Sequence, residues 1–305
     1  MVEGQNDSWT IRSLMKSSIA HLQKHGFDEA RLNVELLLAH SLSCQRIELY
    51  TNFERPLNKV EVEEFRLLCE RRLRHEPVQY IIGSTSFMGL QLKVDPRVLI
   101  PRPETETLVE QAMLVCNSLN EEGRINIIDV GTGSGNIAIA LAKFVKNSFV
   151  TGIDNSESAL EVATLNRKLH GMESRVDLRE IDVSEPVDQL LRRRFDILVS
   201  NPPYVPPDEW ECLKPEVRDF EPRSATTDSK DGLEFYRRIS ELAPYLLLDK
   251  GTVLLEVGDT QASSVGMMIE EAGFFEIAFV KDLQGVNRVV MGRCRAQSRN
   301  PVVSN

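Results

Sequence analysis

The sequence predicts an α/β protein in which a helical domain precedes a doubly wound sheet. The first 76 residues show helical periodicity without a convincing strand, whereas strand-like and helix-like segments alternate from residue 125 onward. Two strand-like segments near 274–280 and 286–293 have no helix between them. We therefore expect these last two strands to pair antiparallel and to close the sheet as a β-hairpin.

Composition indicates a soluble globular protein, with 42% hydrophobic and 27% charged residues in a chain of 305. No apolar run approaches the about 18 residues of a membrane span, and the polar start MVEGQNDSWT lacks the regions of a signal peptide. We therefore expect a cytoplasmic protein with no membrane partner. Nothing in the sequence indicates an oligomer, so we expect a monomer.

Net charge and cysteine content argue against a nucleic-acid-binding protein and against a protein held together by disulfides or a metal ion. A net charge of −10 does not suit a protein whose main work is binding duplex phosphate, so we expect no direct nucleic acid partner. The five cysteines are scattered without a CxxC pair, and the five histidines lack metal-ligand spacing. The sequence therefore predicts neither a disulfide framework nor a metal site.

Residues 1–77 are predicted to form a small helical bundle. Apolar residues recur at helical spacing in 10–25 and in 28–42. Asn58 can cap a third helix, which Pro77 ends.

A β-hairpin linker is predicted at 78–100, because VQYIIGSTSFMGLQLKVD has β-prone stretches and the glycines Gly83 and Gly89. Helix signals resume at Pro103, which suits a first helical position. The second domain is expected to span 101–295, and the tail 296–305 is expected to be disordered.

The second domain alternates strands and helices. The predicted strands are INIIDV (125–130), FVTGID (149–154), 175–181, FDILV (195–199) and TVLLEV (252–257). The predicted helices are 135–146, 156–170, 186–193, 231–247 and 261–272. This alternation is typical of βαβ units and a parallel sheet.

A glycine-rich loop, DVGTGSGNIA, follows the first of these strands. Gly131, Gly133 and Gly135 allow a tight turn and close approach of a ligand to the backbone. Asp154 ends the second strand, where a carboxylate can accept hydrogen bonds from ribose hydroxyls. The candidate cofactor residues are Asp129, Gly131, Thr132, Gly133, Ser134, Gly135 and Asp154, and a turn that only packs is the alternative.

The spacing of this loop is GxGxG with Asp129 two residues ahead, rather than the dinucleotide pattern GxGxxG. It resembles the S-adenosylmethionine loop of seven-stranded methyltransferases. The resemblance implies S-adenosyl-L-methionine as cofactor and a Rossmann-like seven-stranded methyltransferase fold. Asp182, after the third strand, is placed to reach the adenine amino group, although an ordinary turn before a helix would also explain it.

The segment SNPPYVPP follows FDILV and contains four prolines, which rule out a helix or a central strand. Its NPPY sequence resembles the motif of methyltransferases that act on planar nitrogens. The Asn201 oxygen and the Pro202 carbonyl can accept the two N–H groups of such a nitrogen, and Tyr204 can stack on its plane. Asn201, Pro202 and Tyr204 are therefore the catalytic candidates.

NPPY alone does not choose among nitrogens in DNA, RNA and protein. A nucleic-acid adenine or guanine methyltransferase is one alternative, although the negative charge and the lack of a basic recognition domain count against it. A binding protein that kept the fold but lost catalysis is another.

Five segments narrow the choice, namely EPVQYIIG, IPRPETE, FEP, LLEVG and QGVNRVVMGR. Together they resemble the HemK/PrmC family of glutamine N5-methyltransferases, which act on peptide chain release factors. The resemblance covers nearly the whole chain. A sister family that methylates a ribosomal protein glutamine shares NPPY but differs at IPRPETE.

The resemblance implies that the substrate is the glutamine of the release factor's GGQ loop and that the helical domain binds the release factor body. It implies that Asp182 and Val183 flank the adenine and that Asn201 touches both cofactor and substrate. The implied substrate-binding residues are Asn201, Pro202, Pro203, Tyr204, Arg102, Glu104 and Thr105. For the last three, a proline-started helix N-terminus is the alternative explanation.

Overall fold

The computed structural model of the protein describes residues 9–119, 123–185 and 194–295. Contacts divide the chain into two units. One contains the chain up to Ser84 together with Lys214–Phe220, and the other contains Thr85–Leu213 and the chain from Glu221 onward. The limits of the functional domains stay predictions.

The first unit is helical, as the apolar periodicity predicts. Asn58 caps the fourth helix, because its side-chain oxygen accepts hydrogen bonds from the backbone N–H groups of Val60 and Glu61. The apolar faces pack into one core that includes Leu22, Leu38 and Phe65. The helices are α1 (Ile11–Lys24), α2 (Ala30–Ser41), α3 (Arg46–Thr51), α4 (Lys59–Leu73), α5 (Val78–Ile82) and, from the later segment, α10 (Pro215–Phe220).

The predicted hairpin over 78–100 is wrong in its first part, since Val78–Ile82 forms α5. The burial of these β-prone residues against the helical core overrides their intrinsic preference. Strands β1 (Ser84–Phe87) and β2 (Leu90–Lys93) follow and pair with each other. Met88 and Gly89, between them, both have positive φ, which is the requirement of a tight hairpin turn.

The second unit contains the seven-stranded sheet. Its strands are β3 (Ile125–Val130), β4 (Ser148–Asp154), β5 (Val176–Glu180), β6 (Phe195–Ser200), β7 (Leu247–Glu256), β8 (Phe274–Lys281) and β9 (Asn287–Cys294). Their order in the sheet is β5-β4-β3-β6-β7-β9-β8. The first five in that order are parallel, whereas β9 is antiparallel to both β7 and β8, as expected for a closing hairpin.

Both faces of the sheet are covered. Ile125 and Ile127 belong to one hydrophobic cluster, whereas Ile128 and Val130 belong to another, as the alternation of side chains along a strand requires. The flanking helices of this unit are α6 (Glu104–Ser118), α7 (Asn136–Phe144), α8 (Glu157–Leu169), α9 (Pro207–Trp210), α11 (Glu234–Leu246) and α12 (Ala262–Glu271). The α/β fold predicted from the alternation is confirmed.

The order of the strands reverses beside β3, which pairs with β4 on one side and with β6 on the other. Connections then leave in opposite directions, and a crevice forms outside the carboxyl ends of these strands. This topology positions the site described below.

Several element limits differ from the prediction. Strand β7 begins five residues early, at Leu247 rather than residue 252, because Leu247 already pairs with Phe195 of β6. The short helices α3, α9 and α10 carry too few periodic residues to be predicted. The predicted helix 186–193 and the tail 296–305 lie outside the described residues. Of the helices that the structure describes, none combines the length and apolar character that a bilayer crossing demands.

Candidate active site

A cavity of about 510 Å³ lies at the carboxyl ends of four neighbouring strands, β3 to β6. Its walls include the segments 130–134, 153–156, 181–183 and 200–203. Predicted site residues that line it are Arg102, Thr105, Gly131, Thr132, Gly133, Ser134, Asp154, Asp182, Val183, Asn201, Pro202 and Pro203. Predicted residues outside the lining are Asp129, Gly135, Glu104 and Tyr204.

The glycine loop presents its backbone to this cavity. Gly131 and Gly133 have φ angles of 74° and 53°, and a Cβ atom added at either would meet no atom within 4 Å. Open space over a backbone in the left-handed region is what a closely approaching ligand requires. Gly135 differs, because an added Cβ would lie 3.0 Å from Ile139 and 3.2 Å from Ala163. Gly135 therefore serves the packing of α7 against α8.

Asp129 lies behind the loop rather than in the cavity. Its side chain is fully buried, and its Oδ2 accepts a 2.7 Å hydrogen bond from the Thr132 hydroxyl. Burial raises the pKa of Asp129 to about 7, although hydrogen bonds from Thr132 and the Ala138 backbone oppose the shift. In the structure, this side chain holds Thr132 from the core side.

Asp154 connects the loop to β4. Its Oδ2 accepts a hydrogen bond from Gly133 N at 2.8 Å, and its Oδ1 accepts one from Ser156 N at 3.0 Å. Burial raises the pKa of Asp154, while these backbone donors oppose the shift. Each carboxylate oxygen has a second acceptor site, so the side chain can also bind hydroxyl groups of a ligand.

Asp182 and Val183 lie in the adjacent wall, after β5. Hydrogen bonds from the Ser184 hydroxyl at 2.6 Å and the Ser184 backbone N–H at 2.8 Å keep the pKa of Asp182 below its usual value. The Val183 side chain is buried, and its carbonyl accepts a hydrogen bond from Arg238. The pair offers a charged acceptor beside an apolar surface, which suits an amino-substituted aromatic ring.

The proline loop follows β6 and brings Asn201 to the cavity. The Asn201 side-chain nitrogen donates to Thr105 Oγ1 at 3.1 Å. The amide oxygen, on the other branch of the same planar group, is therefore the atom that can accept from a ligand.

Tyr204 is outside the cavity lining and packs against the core cluster that contains Val257. Burial raises the pKa of Tyr204 to about 12. Its carbonyl accepts a 2.9 Å hydrogen bond from Gln261 Nε2. The stacking of this ring on a substrate stays a prediction, and the bond from Gln261 anchors the end of the proline loop.

The segment IPRPETE reaches the cavity through Arg102 and Thr105. Arg102 forms an ion pair with Glu221 at 2.6 Å, and Glu221 is almost fully buried. Burial raises the pKa of Glu221, whereas Arg102 lowers it. Glu104 begins α6 and does not line the cavity.

Glu256, at the end of β7, was not predicted from the sequence as a site residue. Its side chain is 1% exposed, and the nearby Thr105 and Arg288 favour its charged form. Burial raises the pKa of Glu256 to about 7. A carboxyl group within the family segment LLEVG is the signal that could have identified it.

A second wall of the cavity was also missed. It comprises Pro222, which ends the FEP segment, together with Ser224, Ala225 and 227–229, which follow that segment. Asp228 shapes this wall, because its carboxylate accepts hydrogen bonds from the backbone N–H groups of Gly232 and Glu234. The polar run SATTDSKDG predicts a loop but not its position.

The donor set fits S-adenosyl-L-methionine. Accessible glycine backbone, the Asp154 carboxylate and the Asp182–Val183 surface lie around one cavity. They suit an amino acid end, a ribose and an adenine, respectively. Among the described residues, no group of three or more His, Cys, Asp or Glu side chains is arranged as a metal site.

Two families of known proteins match the chain. The family described as PrmC N-terminal domain matches residues 13–83, and the family described as Methyltransferase domain matches residues 121–263. A release factor glutamine methyltransferase from Geobacter sulfurreducens is 41% identical over 93% of this chain and 97% of its own length. One from Chlorobaculum tepidum is 42% identical over 95% of this chain and 98% of its own length.

Solved structures share the fold. A methyltransferase from Pyrococcus furiosus superposes with a TM-score of 0.50 at 17% identity, covering 74% of this chain and 99% of that one. The hMettl16 catalytic domain superposes with a TM-score of 0.53 at 16% identity, covering 68% of this chain and 76% of that one. The Rossmann-like methyltransferase fold predicted from the glycine loop is confirmed.

Proposed function

The chain belongs to the family of release factor glutamine methyltransferases, and from that premise we propose that it methylates the glutamine in the GGQ loop of a peptide chain release factor. The acceptor is the side-chain amide nitrogen N5, and the donor is S-adenosyl-L-methionine. The products are N5-methylglutamine and S-adenosylhomocysteine. The observation that supports this most directly is Asn201, which lines the cavity with its amide nitrogen bonded to Thr105.

An amide nitrogen is a weak nucleophile because its lone pair is delocalised into the carbonyl group. The Asn201 oxygen and the Pro202 carbonyl would accept its two N–H groups and hold the nitrogen in line with the methyl carbon. Both hydrogen bonds strengthen as positive charge develops on nitrogen in the transition state. The flanking prolines and the Gln261 bond to Tyr204 keep these acceptors in place, so little ordering entropy is lost on binding.

When bound, S-adenosyl-L-methionine supplies an electrophilic methyl group on a sulfonium sulfur. Gly131 to Ser134 would hold its amino acid end, and Asp154 would accept from its ribose hydroxyls. Asp182 and Val183 would flank the adenine. The new N–C bond would form as the S–C bond of the donor breaks and S-adenosylhomocysteine leaves, and the methylated amide would then lose one proton to solvent. We assign no catalytic base, because a cationic amide releases a proton readily.

The helical domain, predicted to span 1–77, is proposed to bind the body of the release factor. The separate match of residues 13–83 to the PrmC N-terminal domain supports this assignment. Hydrogen exchange on the full chain tests it. Adding release factor should protect amides between residues 10 and 76, and unchanged exchange there would contradict the docking role.

The decisive assay combines the protein, S-adenosyl-L-methionine and a purified release factor. Mass mapping should find the GGQ peptide heavier by one CH2 group, with the modification on the glutamine side chain. A release factor with alanine in place of that glutamine is the substrate control, and Asn201→Ala is the enzyme control. The same assay with ribosomal protein and with DNA or RNA covers the alternatives. Absence of transfer to the release factor at saturating donor would refute the proposal.

A monomeric state and a cytoplasmic location stay predictions from the sequence. Light scattering after size exclusion should give a mass near the 34.5 kDa of one chain. Cell fractionation tests the location.

A further inference from the structure

A buried asparagine on α8 connects the glycine loop to the β1–β2 hairpin. Asn166 is 0% exposed and does not line the cavity. Its amide is hydrogen-bonded both to Lys93 of β2 and to Ser134 of the loop. We propose that Asn166 is a positioning residue for S-adenosyl-L-methionine, which holds the Ser134 end of the loop in the shape that receives the donor's amino acid end. The inference rests on the proposed assignment of the loop to that end of the donor.

The Asn166 amide pairs with the backbone of Lys93 at two points. Its Oδ1 accepts a hydrogen bond from Lys93 N at 2.6 Å, and its Nδ2 donates one to the Lys93 carbonyl at 2.9 Å. The amide nitrogen carries two hydrogens. The second one is donated to the Ser134 carbonyl at 2.9 Å, so a single side chain joins β2 to the loop.

Backbone groups determine the orientation of this amide. A main-chain N–H can only donate a hydrogen bond, and a main-chain carbonyl can only accept one. If the amide were rotated by half a turn, its oxygen would face the carbonyls of Lys93 and Ser134. Its NH2 group would then face the Lys93 N–H. All three hydrogen bonds would be lost around a fully buried side chain, so the connection between β2 and the loop has one geometry.

The face of α8 that carries Asn166 also packs against the next loop residue. Asparagine is an unfavourable residue in the interior of a helix, and packing alone does not explain a buried one. Ala163 lies three residues earlier and therefore on the same face. A Cβ added at Gly135 would lie 3.2 Å from Ala163. One face of α8 thus fixes Ser134 by a hydrogen bond and Gly135 by close packing.

Each of the three residues between Gly131 and Gly135 is held by a different element. The hydrogen bonds run from Thr132 to Asp129 of β3, from Gly133 to Asp154 of β4 and from Asn166 of α8 to Ser134. Of the three residues that hold the loop, Asp154 lines the cavity and the other two do not. Asn166 therefore acts on a bound donor through the loop, without contact to the ribose or the adenine.

Two ligands that differ in the amino acid end provide the test. S-adenosylhomocysteine carries that end, whereas methylthioadenosine has the same adenine and ribose without it. In calorimetry, Asn166→Ala should raise the dissociation constant of S-adenosylhomocysteine by about 10-fold, because a loop that must be ordered on binding lowers affinity. The dissociation constant of methylthioadenosine should change little. An equal rise for both ligands, or no rise for either, would overturn the inference.

Asn33→Ala is the matched control. Asn33 is also a buried asparagine on a helix, with its amide bonded to Glu29 and Arg72, but it belongs to the helical unit. Its replacement should lower the melting temperature and leave both dissociation constants unchanged. Asp154→Ala should instead raise both constants, since the two ligands share the ribose. A selective loss of S-adenosylhomocysteine binding in Asn33→Ala would overturn the inference, because general destabilisation would then explain the effect.

Asn166→Ser keeps the test decisive if Asn166→Ala does not fold. A serine hydroxyl has one hydrogen, so it cannot donate to the carbonyls of both Lys93 and Ser134. The connection is broken in either case, and the ratio of the two dissociation constants should still shift against S-adenosylhomocysteine. An unchanged ratio in the folded serine variant would overturn the inference.

These binding constants do not depend on methyl transfer. A wild type that transfers no methyl group to a release factor would refute the proposed function, while the ratio of the two constants would still decide the role of Asn166. A wild type that binds both ligands equally well would overturn the inference through its premise, because the loop would then not hold the amino acid end.

Discussion

The carboxylate of Asp154, at the end of β4, accepts a 2.8 Å hydrogen bond from the backbone N–H of Gly133. The same carboxylate accepts from Ser156 N at the start of α8. One side chain thus connects the glycine loop, strand β4 and helix α8. Because Asp154 also lines the cavity, the cavity wall and the geometry of the glycine loop depend on the same residue.

Asp154→Ala should mainly weaken binding of the methyl donor. It removes the acceptors proposed for the ribose and the anchor of Gly133, and each hydrogen bond to a charged group contributes about 1.5–3 kcal/mol. We expect the dissociation constant, measured by calorimetry, to rise by about 10- to 10²-fold. Turnover should recover at high donor concentration. A complete loss of turnover with unchanged donor affinity would contradict this role.

Asn201→Ala should mainly affect the chemical step. Loss of one oriented acceptor is expected to lower kcat by ~10²–10³-fold, because the hydrogen bond strengthens as charge develops on the nitrogen. Donor affinity should fall less. Single-turnover methylation and calorimetry on the same samples give both quantities. Activity equal to that of the wild type would mean that the proline loop does not position the nitrogen.

Gly135→Ala should destabilise the fold more than Gly171→Ala. Both glycines have positive φ, 79° and 66°, so an alanine at either pays roughly 1–2 kcal/mol for the left-handed conformation. At Gly135 the new Cβ would also lie 3.0 Å from Ile139, whereas at Gly171 it would meet no atom within 4 Å. Urea denaturation measures the difference. Equal losses of unfolding free energy in the two variants would show that α7 and α8 accommodate the added methyl group without a further free-energy cost.

Asp129→Asn should reduce the pH dependence of stability. The folded pKa of Asp129 is about 7, against an ordinary value of 3.8, so the folded state binds more protons than the unfolded state between these values. Wild-type stability should therefore fall as pH rises through this window. Asparagine does not titrate, so the variant should lose less stability between pH 4 and pH 7.

Urea midpoints at several pH values test this, with Asp208→Asn at an exposed aspartate as the control. The control should follow the wild-type curve. If the stability of Asp129→Asn fell with pH as steeply as that of the wild type, the titrating group would be a residue other than Asp129.

Local patterns predicted much of the site because they act over short distances. Glycine spacing and the position of Asp154 at the end of a strand follow from a few neighbouring residues, and parallel strands bring their carboxyl ends to one edge. The same reasoning was wrong at Val78–Ile82, where β-prone residues form a helix because they are buried against the helical core. Local preference was weaker there than tertiary burial.

Contacts between residues far apart in the chain could not be predicted from local sequence patterns. Thr105 and Asn201 are 96 residues apart in the chain, and neither neighbourhood indicates the other. Asp129 precedes the loop at the spacing expected of a ligand contact, yet its side chain turns into the core. Which way a side chain points at a strand end depends on what packs behind it.

The sequence by itself determined the α/β class, the glycine loop, the proline loop and their order along the chain, because periodicity and backbone constraints act locally. The tertiary structure alone decided which polar atoms face the cavity. It placed Thr105 of α6 beside Asn201 of the loop after β6, and both line the cavity. Hydrogen-bond direction depends on three-dimensional neighbours, and no local pattern contains it.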